Sequence, residues 1–280
     1  MPTPSADEIL ARSRAQWTAA APSWEREGDL VAASTRAVTA ALVEMAGLAP
    51  GMRVLDVAGG TGDPTTAVAA AVGERGCVVC TDLTPAMLAG ARRRVGEATV
   101  DFIAASAEAL PFPDATFDAV VSRFGVMLFA DPARGVREML RVARPGGTVA
   151  AAVWGSAERN PYLAVPIAAI ARLAAVPPQD PDAPGVFRLA APGALDALFA
   201  GARGVRVERR AFTMQAPLAL ADFWPFLLRL ASPMRAVVGS LPPELQDAIG
   251  AAIRAAVAPY FDGAGMHFPA EMIVARATRA

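Results

Sequence analysis

The chain has 280 residues, a formal net charge of −1, 54% hydrophobic residues and 19% charged residues. This length fits one large domain with a substantial core, and the apolar fraction excludes an intrinsically disordered chain. A charge near zero argues against a nucleic-acid partner, because binding to phosphates requires concentrated positive charge. All 26 basic residues are arginine, which excludes chemistry that depends on a Schiff-base or P-loop lysine.

No stretch of about 20 uninterrupted apolar residues is present, and the first residues lack the basic-then-apolar order of a secretory signal. We therefore expect a cytoplasmic protein without a membrane span. The C-x-x-C sequence of Cys77 and Cys80 lies in a predicted strand, so the two side chains point to opposite faces and a redox pair is not expected. The chain has one histidine, His267, and the scarcity of ligands argues against a zinc site.

The predicted elements of the first 155 residues change from helical to alternating. Residues 5–47 are predicted to be helical. Short apolar runs then predict strands at residues 53–58, 77–81, 101–104, 117–122 and 148–154. Three helices are predicted between them, and each begins at a capping residue followed by proline, at Asp63, Thr84 and Asp131. This alternation predicts an α/β fold, a Rossmann-like and mostly parallel sheet with helices on both faces.

The last third of the chain is less regular. Helices are predicted at residues 162–175, 192–200, 219–231 and 243–258. An alternating pattern predicts strands at residues 204–215 and 271–278. No linker divides the chain, so we expect a single domain over residues 1–280.

The strongest local signal is VLDVAGGTGDPT, residues 54–65, in which a strand runs into a glycine-rich turn and a helix. This arrangement is typical of a nucleotide-type site at the carboxyl end of a strand. Asp56 lies inside the strand, where its carboxylate would repel a pyrophosphate resting on the turn. It would suit a ligand with a positive group, such as the amino group of S-adenosylmethionine. The alternative is a structural carboxylate that accepts hydrogen bonds from the loop.

Further candidates follow the next three strands. Asp82 ends the second strand, where an acid can accept both hydroxyls of a ribose. The residues after the third strand, Ser106 to Glu108, can meet an adenine edge. Arg123 follows the fourth strand, close to the position of a reacting group. All of these residues lie at carboxyl ends of strands, where open α/β sheets bind ligands.

Five motifs together resemble class I S-adenosylmethionine-dependent methyltransferases, and within them the branch of ubiquinone/menaquinone-biosynthesis C-methyltransferases. The motifs are VLDVAGGTGD (54–63), TDLTPAML (81–88), ASAEALPFPDATFD (105–118), SRFG (122–125) and RVARPGG (141–147). The resemblance covers roughly residues 50–155. It implies S-adenosyl-L-methionine as cofactor and a seven-stranded sheet whose seventh strand is antiparallel. The cofactor-binding residues that it implies are Asp56, Ala58, Gly59, Gly60, Thr61, Asp82, Leu83, Met87, Ser106, Ala107, Glu108 and Arg123.

Two positions depart from the family pattern. Ala58 stands where many class I enzymes have their first glycine, although the quinone branch also accepts alanine. Arg123 stands where the quinone enzymes tend to have a small polar residue, which argues against a quinone acceptor. The resemblance therefore predicts methyl transfer to a small, largely apolar molecule, with the methylated atom (C, O or N) left open.

The predicted catalytic residues are Arg123, which would orient the acceptor, and His267, whose imidazole is the one side chain that ordinarily titrates near neutrality. Residues 50–155 would form the cofactor-binding core, residues 160–215 and 263–280 the rest of the sheet. Residues 1–47 and a helical insertion at 216–262 would cover the acceptor as a lid. The oligomeric state stays open, and a homodimer is among the possibilities.

Two other functions remain as alternatives. One is a non-methylating protein of the same fold, such as a cyclase, that binds S-adenosylmethionine. The other is a nicotinamide-dependent oxidoreductase, which Asp56 disfavours.

Overall fold

The computed structural model describes residues 5–96, 100–176 and 180–280. The N-terminal segment forms two helices, α1 (Ala6–Arg26) and α2 (Gly28–Ala46), which meet at Glu27. Ser5 and Glu8 form a reciprocal capping box at the start of α1, which satisfies amide groups that have no partner within the helix. The predicted helical stretch over residues 5–47 is thus confirmed, with one break.

In the described part of the chain, seven strands form the main sheet and an eighth strand is very short. They are β1 (Arg53–Val57), β2 (Cys77–Asp82), β3 (Val100–Ala104), β4 (Phe117–Arg123), β5 (Ala143–Trp154), β6 (Arg203–Ala216), the short β7 (Phe261–Asp262) and β8 (Gly265–Thr278). The order across the sheet is β3-β2-β1-β4-β5-β8-β6, and β7 pairs with β8 outside this path. Strands β1 to β5 are parallel, whereas β8 is antiparallel to both β5 and β6. The predicted sheet with an antiparallel last strand is confirmed.

Helices cover both faces of this sheet. The remaining helices are α3 (Asp63–Val72), α4 (Pro85–Val95), α5 (Pro132–Val142), α6 (Pro161–Leu173), α7 (Leu220–Leu230), α8 (Ser232–Gly239) and α9 (Pro243–Val257). Apolar side chains of α2, α3 and α4 pack on one face, where Val54 and Val121 are fully buried. The other face packs against α5, α6 and the C-terminal helices. Alternate residues of the buried strands point to the two faces, which explains their nearly continuous apolar sequences.

The structure corrects three local expectations. Residues 192–200 do not form an α-helix; the segment contains only a short 3₁₀ helix, Asp196–Phe199. Helix α8 is an additional element. The side chain of Asp63 does not cap α3, because Gly62 is the residue at the cap position and no side chain bonds there. The other two predicted caps are confirmed, since Thr84 accepts from the amide of Met87 and Asp131 from the amide of Arg134.

Within the described residues, no helix has the combination of length and apolarity needed to cross a bilayer.

Candidate functional site

The glycine-rich turn joins β1 to α3 at the carboxyl edge of the sheet. Its backbone enters the left-handed region at Ala58 (φ 58°), Gly60 (φ 58°) and Gly62 (φ 88°). Glycine adopts this region without the cost that a side chain adds, and Ala58 is the position where glycine is absent from the family pattern. A side chain at Gly60 would meet only open space, whereas one at Gly62 would lie 3.0 Å from the backbone of Ala91. The turn is thus packed on α4 at Gly62 and open at Gly60.

Asp82 closes the turn from the neighbouring strand. Its carboxylate accepts hydrogen bonds from the amide of Gly60 (3.2 Å) and from the amide of Thr84 (3.0 Å). The residue is 9% exposed, and burial raises its pKa to about 6 although these hydrogen bonds act in the opposite direction. The structure therefore brings the predicted ribose acceptor into direct contact with the open part of the turn.

Asp56 lies beneath the turn and is completely buried. One carboxyl oxygen, Oδ2, accepts a hydrogen bond from the hydroxyl of Thr65 (2.7 Å), while Oδ1 has no partner. Burial raises the pKa of Asp56 to about 7, and the nearby guanidinium of Arg123 lowers it only in part. The carboxyl is thus bonded to a hydroxyl of α3 rather than to loop amides, and half of its hydrogen-bonding capacity is unused.

The segment after β3 is held by Glu108. The hydroxyl of Ser106 donates to this carboxylate, which also accepts from the amides of Ala130 (2.9 Å) and Asp131 (3.4 Å). Glu108 therefore ties the loop after β3 to the loop after β4. Ala107 beside it is buried in the core.

Arg123 ends β4, but its guanidinium points toward α2 and α3. Nη1 donates to the hydroxyls of Thr35 (2.8 Å) and Thr39 (2.7 Å) and forms an ion pair with Asp63. The side chain is only 7% exposed. A guanidinium held in this way faces the inside of the protein, which is a different setting from the predicted contact with an acceptor.

Unpartnered polar atoms concentrate at this edge of the sheet. In the described part of the chain, four buried side-chain atoms lack a hydrogen-bond partner: Asp56 Oδ1, Ser122 Oγ, Arg123 Nε and His267 Nδ1. Three of them belong to the neighbouring strands β1 and β4. Buried polar groups in proteins are nearly always paired, so such a cluster marks a place where a ligand or water completes the hydrogen bonds. Ser122 belongs to the SRFG motif (122–125), although nothing in that motif reveals an unpaired hydroxyl.

His267 lies elsewhere, on β8. It lines a cleft of about 650 Å³ between α2 and the ends of β6 and β8, together with Arg36 and Gln215. Its Nδ1 atom lies 3.6 Å from Asp262 Oδ2, too far for a hydrogen bond. Among the described residues that line this cleft there is none of the predicted cofactor-binding residues.

Helix α1 lies across the site from α4 to α7. Met87, a predicted cofactor-binding residue, is 2% exposed and packs against Ala20, Ala21 and the tryptophans of α1. At the other end, the indole of Trp24 donates to the carbonyl of Leu230 (3.1 Å). Helix α1 thus bridges the half of the protein that carries the glycine-rich turn and the helices inserted before β8.

Glu25, Asp131, Tyr162 and Asp222 are further possible acids or bases, and the first three have structural contacts. Glu25 forms an ion pair with Arg93 on the surface, and Asp131 caps α5. Tyr162 is buried in an aromatic cluster with Phe223 and Phe268, where burial raises the pKa of its hydroxyl above the ordinary value. These contacts are structural.

Comparison with known proteins tests the resemblance. Residues 34–169, slightly less than half of the chain, match the ubiE/COQ5 methyltransferase family. The resemblance to class I methyltransferases of this branch is confirmed. The ubiquinone/menaquinone biosynthesis C-methyltransferase UbiE of Shewanella sediminis is 43% identical over 109 residues, which are 38% of this chain and 43% of the relative. UbiE of Cronobacter sakazakii is 41% identical over the same length. The chain therefore matches less than half the length of these curated relatives.

Solved structures extend the likeness of the fold to most of the chain. The YcgJ protein of Bacillus subtilis has a TM-score of 0.55 at 19% identity, covering 87% of this chain and 98% of that chain. Phosphoethanolamine N-methyltransferase 2 of Haemonchus contortus has a TM-score of 0.57 at 17% identity, covering 99% of this chain and 60% of that chain. At these identities the comparison establishes the Rossmann-like methyltransferase fold and nothing finer.

Proposed function

We propose that this protein is a methyltransferase that uses S-adenosyl-L-methionine to methylate a small, largely apolar molecule. The observation that carries the proposal is the set of buried, unpartnered polar atoms near the carboxyl ends of β1 and β4, on the edge of the sheet that carries the glycine-rich turn. The match of residues 34–169 to the ubiE/COQ5 methyltransferase family supports it.

The residues of the turn fit this cofactor chemically. The open face at Gly60 leaves room for a ligand to approach the backbone, and the adjacent carboxylate of Asp82 can accept the two hydroxyls of a ribose. Asp56 offers a free carboxyl oxygen to a positive group, and Ser122 a free hydroxyl. The carboxylate of Asp56 would repel a pyrophosphate resting on this turn, which disfavours a nicotinamide dinucleotide.

The bound cofactor would supply an electrophilic methyl group on a sulfonium. The protein would then position the reactants and exclude water. We propose that α1 and the helices of residues 216–262 cover the acceptor, since α1 already bridges α4 and α7. The half-buried Trp17 and Trp24 on α1 would give this cover an apolar character. His267 stays the proposed base for an acceptor that must lose a proton.

The decisive experiment is calorimetry of S-adenosylmethionine binding to the wild type, to Asp82→Ala and to Asp101→Ala. Asp101 is an exposed acid on the neighbouring strand β3 and serves as the matched control. We expect Asp82→Ala to weaken binding at least tenfold and Asp101→Ala to leave it unchanged. Equal affinity of the wild type and Asp82→Ala would refute the ribose assignment.

Transfer itself is tested with methyl-labelled cofactor and a panel of small phenols, amines and quinols. Label in an extracted product supports methyl transfer. Tight cofactor binding with no labelled product across the panel would favour the non-methylating alternative. Binding of a nicotinamide dinucleotide in place of S-adenosylmethionine would contradict both.

A further inference from the structure

One nitrogen of Arg123 connects three parts of the protein. Nη1 donates to Thr35 and Thr39 on α2 and pairs with Asp63, the first residue of α3 after the glycine-rich turn. The backbone of Arg123 belongs to β4. Helix α2, the start of α3 and strand β4 are thus joined at a single atom.

The hydroxyl oxygens of the two threonines are oriented to accept hydrogen bonds from this guanidinium. The hydroxyl of Thr35 donates to the carbonyl of Val31 (2.7 Å), and that of Thr39 to the carbonyl of Thr35 (3.5 Å). Because each hydroxyl has one proton, donation to the helix leaves its lone pairs for the guanidinium. Both threonines are buried, so water does not replace these bonds.

The side chain of Asp63 pairs with Arg123 and does not cap α3. A residue of this type at the start of a helix usually caps the free amides, yet its carboxylate pairs with Arg123, sixty residues away along the chain. The end of the turn, with Gly62 at the cap position of α3, is therefore held by a residue of strand β4. Removing one partner of a buried ion pair leaves an uncompensated charge and is strongly unfavourable.

We propose that Arg123 is a positioning residue that couples the placement of α2 to the conformation of the glycine-rich turn, so that Thr35 and Thr39 contribute to cofactor affinity through it. This inference rests on the proposed function, because the affinity concerned is that for S-adenosylmethionine. It differs from the interpretation of Arg123 as an acceptor-orienting residue. That interpretation requires Arg123→Ala to lower turnover while cofactor affinity stays nearly intact.

The test uses the full chain and calorimetry with S-adenosylmethionine. The variant Thr35→Val/Thr39→Val keeps the shape of both side chains and removes both hydroxyls. Ser34→Ala is the matched control, since the buried Ser34 hydroxyl also bonds back to Val31 (3.0 Å) on the same helix without touching Arg123. We expect a three- to tenfold weaker affinity for the double variant and no change for Ser34→Ala.

A cycle with Asp63→Asn measures the coupling. If both sites act through Arg123, the combined loss of affinity is smaller than the product of the separate losses. Unfolding by urea is followed in parallel, because a merely structural role lowers stability without changing affinity. Arg123→Lys, which keeps the charge but not the geometry, is expected to lie between the wild type and Arg123→Ala.

The outcomes separate this inference from the proposed function. A wild type that does not bind S-adenosylmethionine overturns both. If the wild type binds S-adenosylmethionine and the double variant binds it equally well, the coupling alone is overturned. Full cofactor affinity with reduced turnover in Arg123→Ala would also overturn the coupling alone. The double variant carries the test if Arg123→Ala fails to fold.

Discussion

The buried carboxyl of Asp56 makes the stability of this protein depend on pH in a direction opposite to that of a salt-bridged acid. Burial holds its pKa near 7 in the folded state, so the folded protein keeps a proton that the unfolded chain releases. The perturbation that isolates this group is Asp56→Asn, because the amide has the same shape, can accept from Thr65 and does not titrate.

The magnitude follows from the two pKa values of Asp56, 3.8 ordinarily and about 7 when folded. Between these values the folded state binds one more proton than the unfolded state. Raising the pH therefore costs the wild type up to about 1.4 kcal/mol of unfolding free energy per pH unit. Between pH 5.5 and pH 7.5 this loss amounts to about 2 kcal/mol, and it levels off above the folded-state pKa. Asp56→Asn lacks this contribution.

The assay is urea unfolding of the wild type and Asp56→Asn at pH 5.5, 6.5 and 7.5. Titrating groups that are distant from Asp56 are common to both proteins and cancel in the difference between their unfolding free energies. From pH 5.5 to pH 7.5 we expect the unfolding free energy of Asp56→Asn to rise by about 2 kcal/mol relative to that of the wild type. An exposed control, Asp101→Asn, should show a constant difference. If the difference in unfolding free energy between Asp56→Asn and the wild type does not change with pH, the conclusion that the buried carboxyl of Asp56 is protonated is refuted.

Four further predictions each concern a single position. Gly62→Ala should lower the unfolding free energy by about 2 kcal/mol or more in urea, since its side chain would crowd the backbone of Ala91. Gly60→Ala, with open space around it, should lower the unfolding free energy by only about 1 kcal/mol but weaken S-adenosylmethionine binding in calorimetry. Equal losses of stability in Gly60→Ala and Gly62→Ala would contradict the difference in packing. Asp131→Ala should destabilise by about 1 kcal/mol through the lost cap, seen as a lower urea midpoint. His267→Gln should lower labelled methyl transfer by about a hundredfold or more with unchanged cofactor affinity if the imidazole is the base, and full turnover would exclude that role.

The order of strands and helices was predictable because it depends on local patterns. Apolar runs ending in glycine-rich or capped turns predicted β1 to β5 and their helices. The ends of elements were less predictable. Strand β8 begins at Gly265 rather than at residue 271, since its first residues pair with β6. Pro269 lies in this part of β8, which pairs with β6 but not with β5. A proline is tolerated where one side of the strand needs no hydrogen bond.

The site was predictable in composition but not in its long-range contacts. The sequence motifs predicted the turn and Asp82, which the structure places in direct contact. They did not predict that the side chain of Asp63 would pair with Arg123 instead of capping α3, because Arg123 is distant in sequence. A capping preference is worth about 1 kcal/mol, whereas leaving the buried guanidinium of Arg123 without its partner would cost more than that.

The antiparallel pairing of β6 with β8 has a consequence for engineering. Ala216 at the end of β6 pairs with Met266 near the start of β8, so the segment that carries the inserted helices begins and ends at adjacent positions of the sheet. An exchange of this segment between related proteins would therefore need only two junctions, on neighbouring strands. Phe268 packs against Phe223 and Tyr260 from this segment, so a transplanted segment must supply aromatic side chains there.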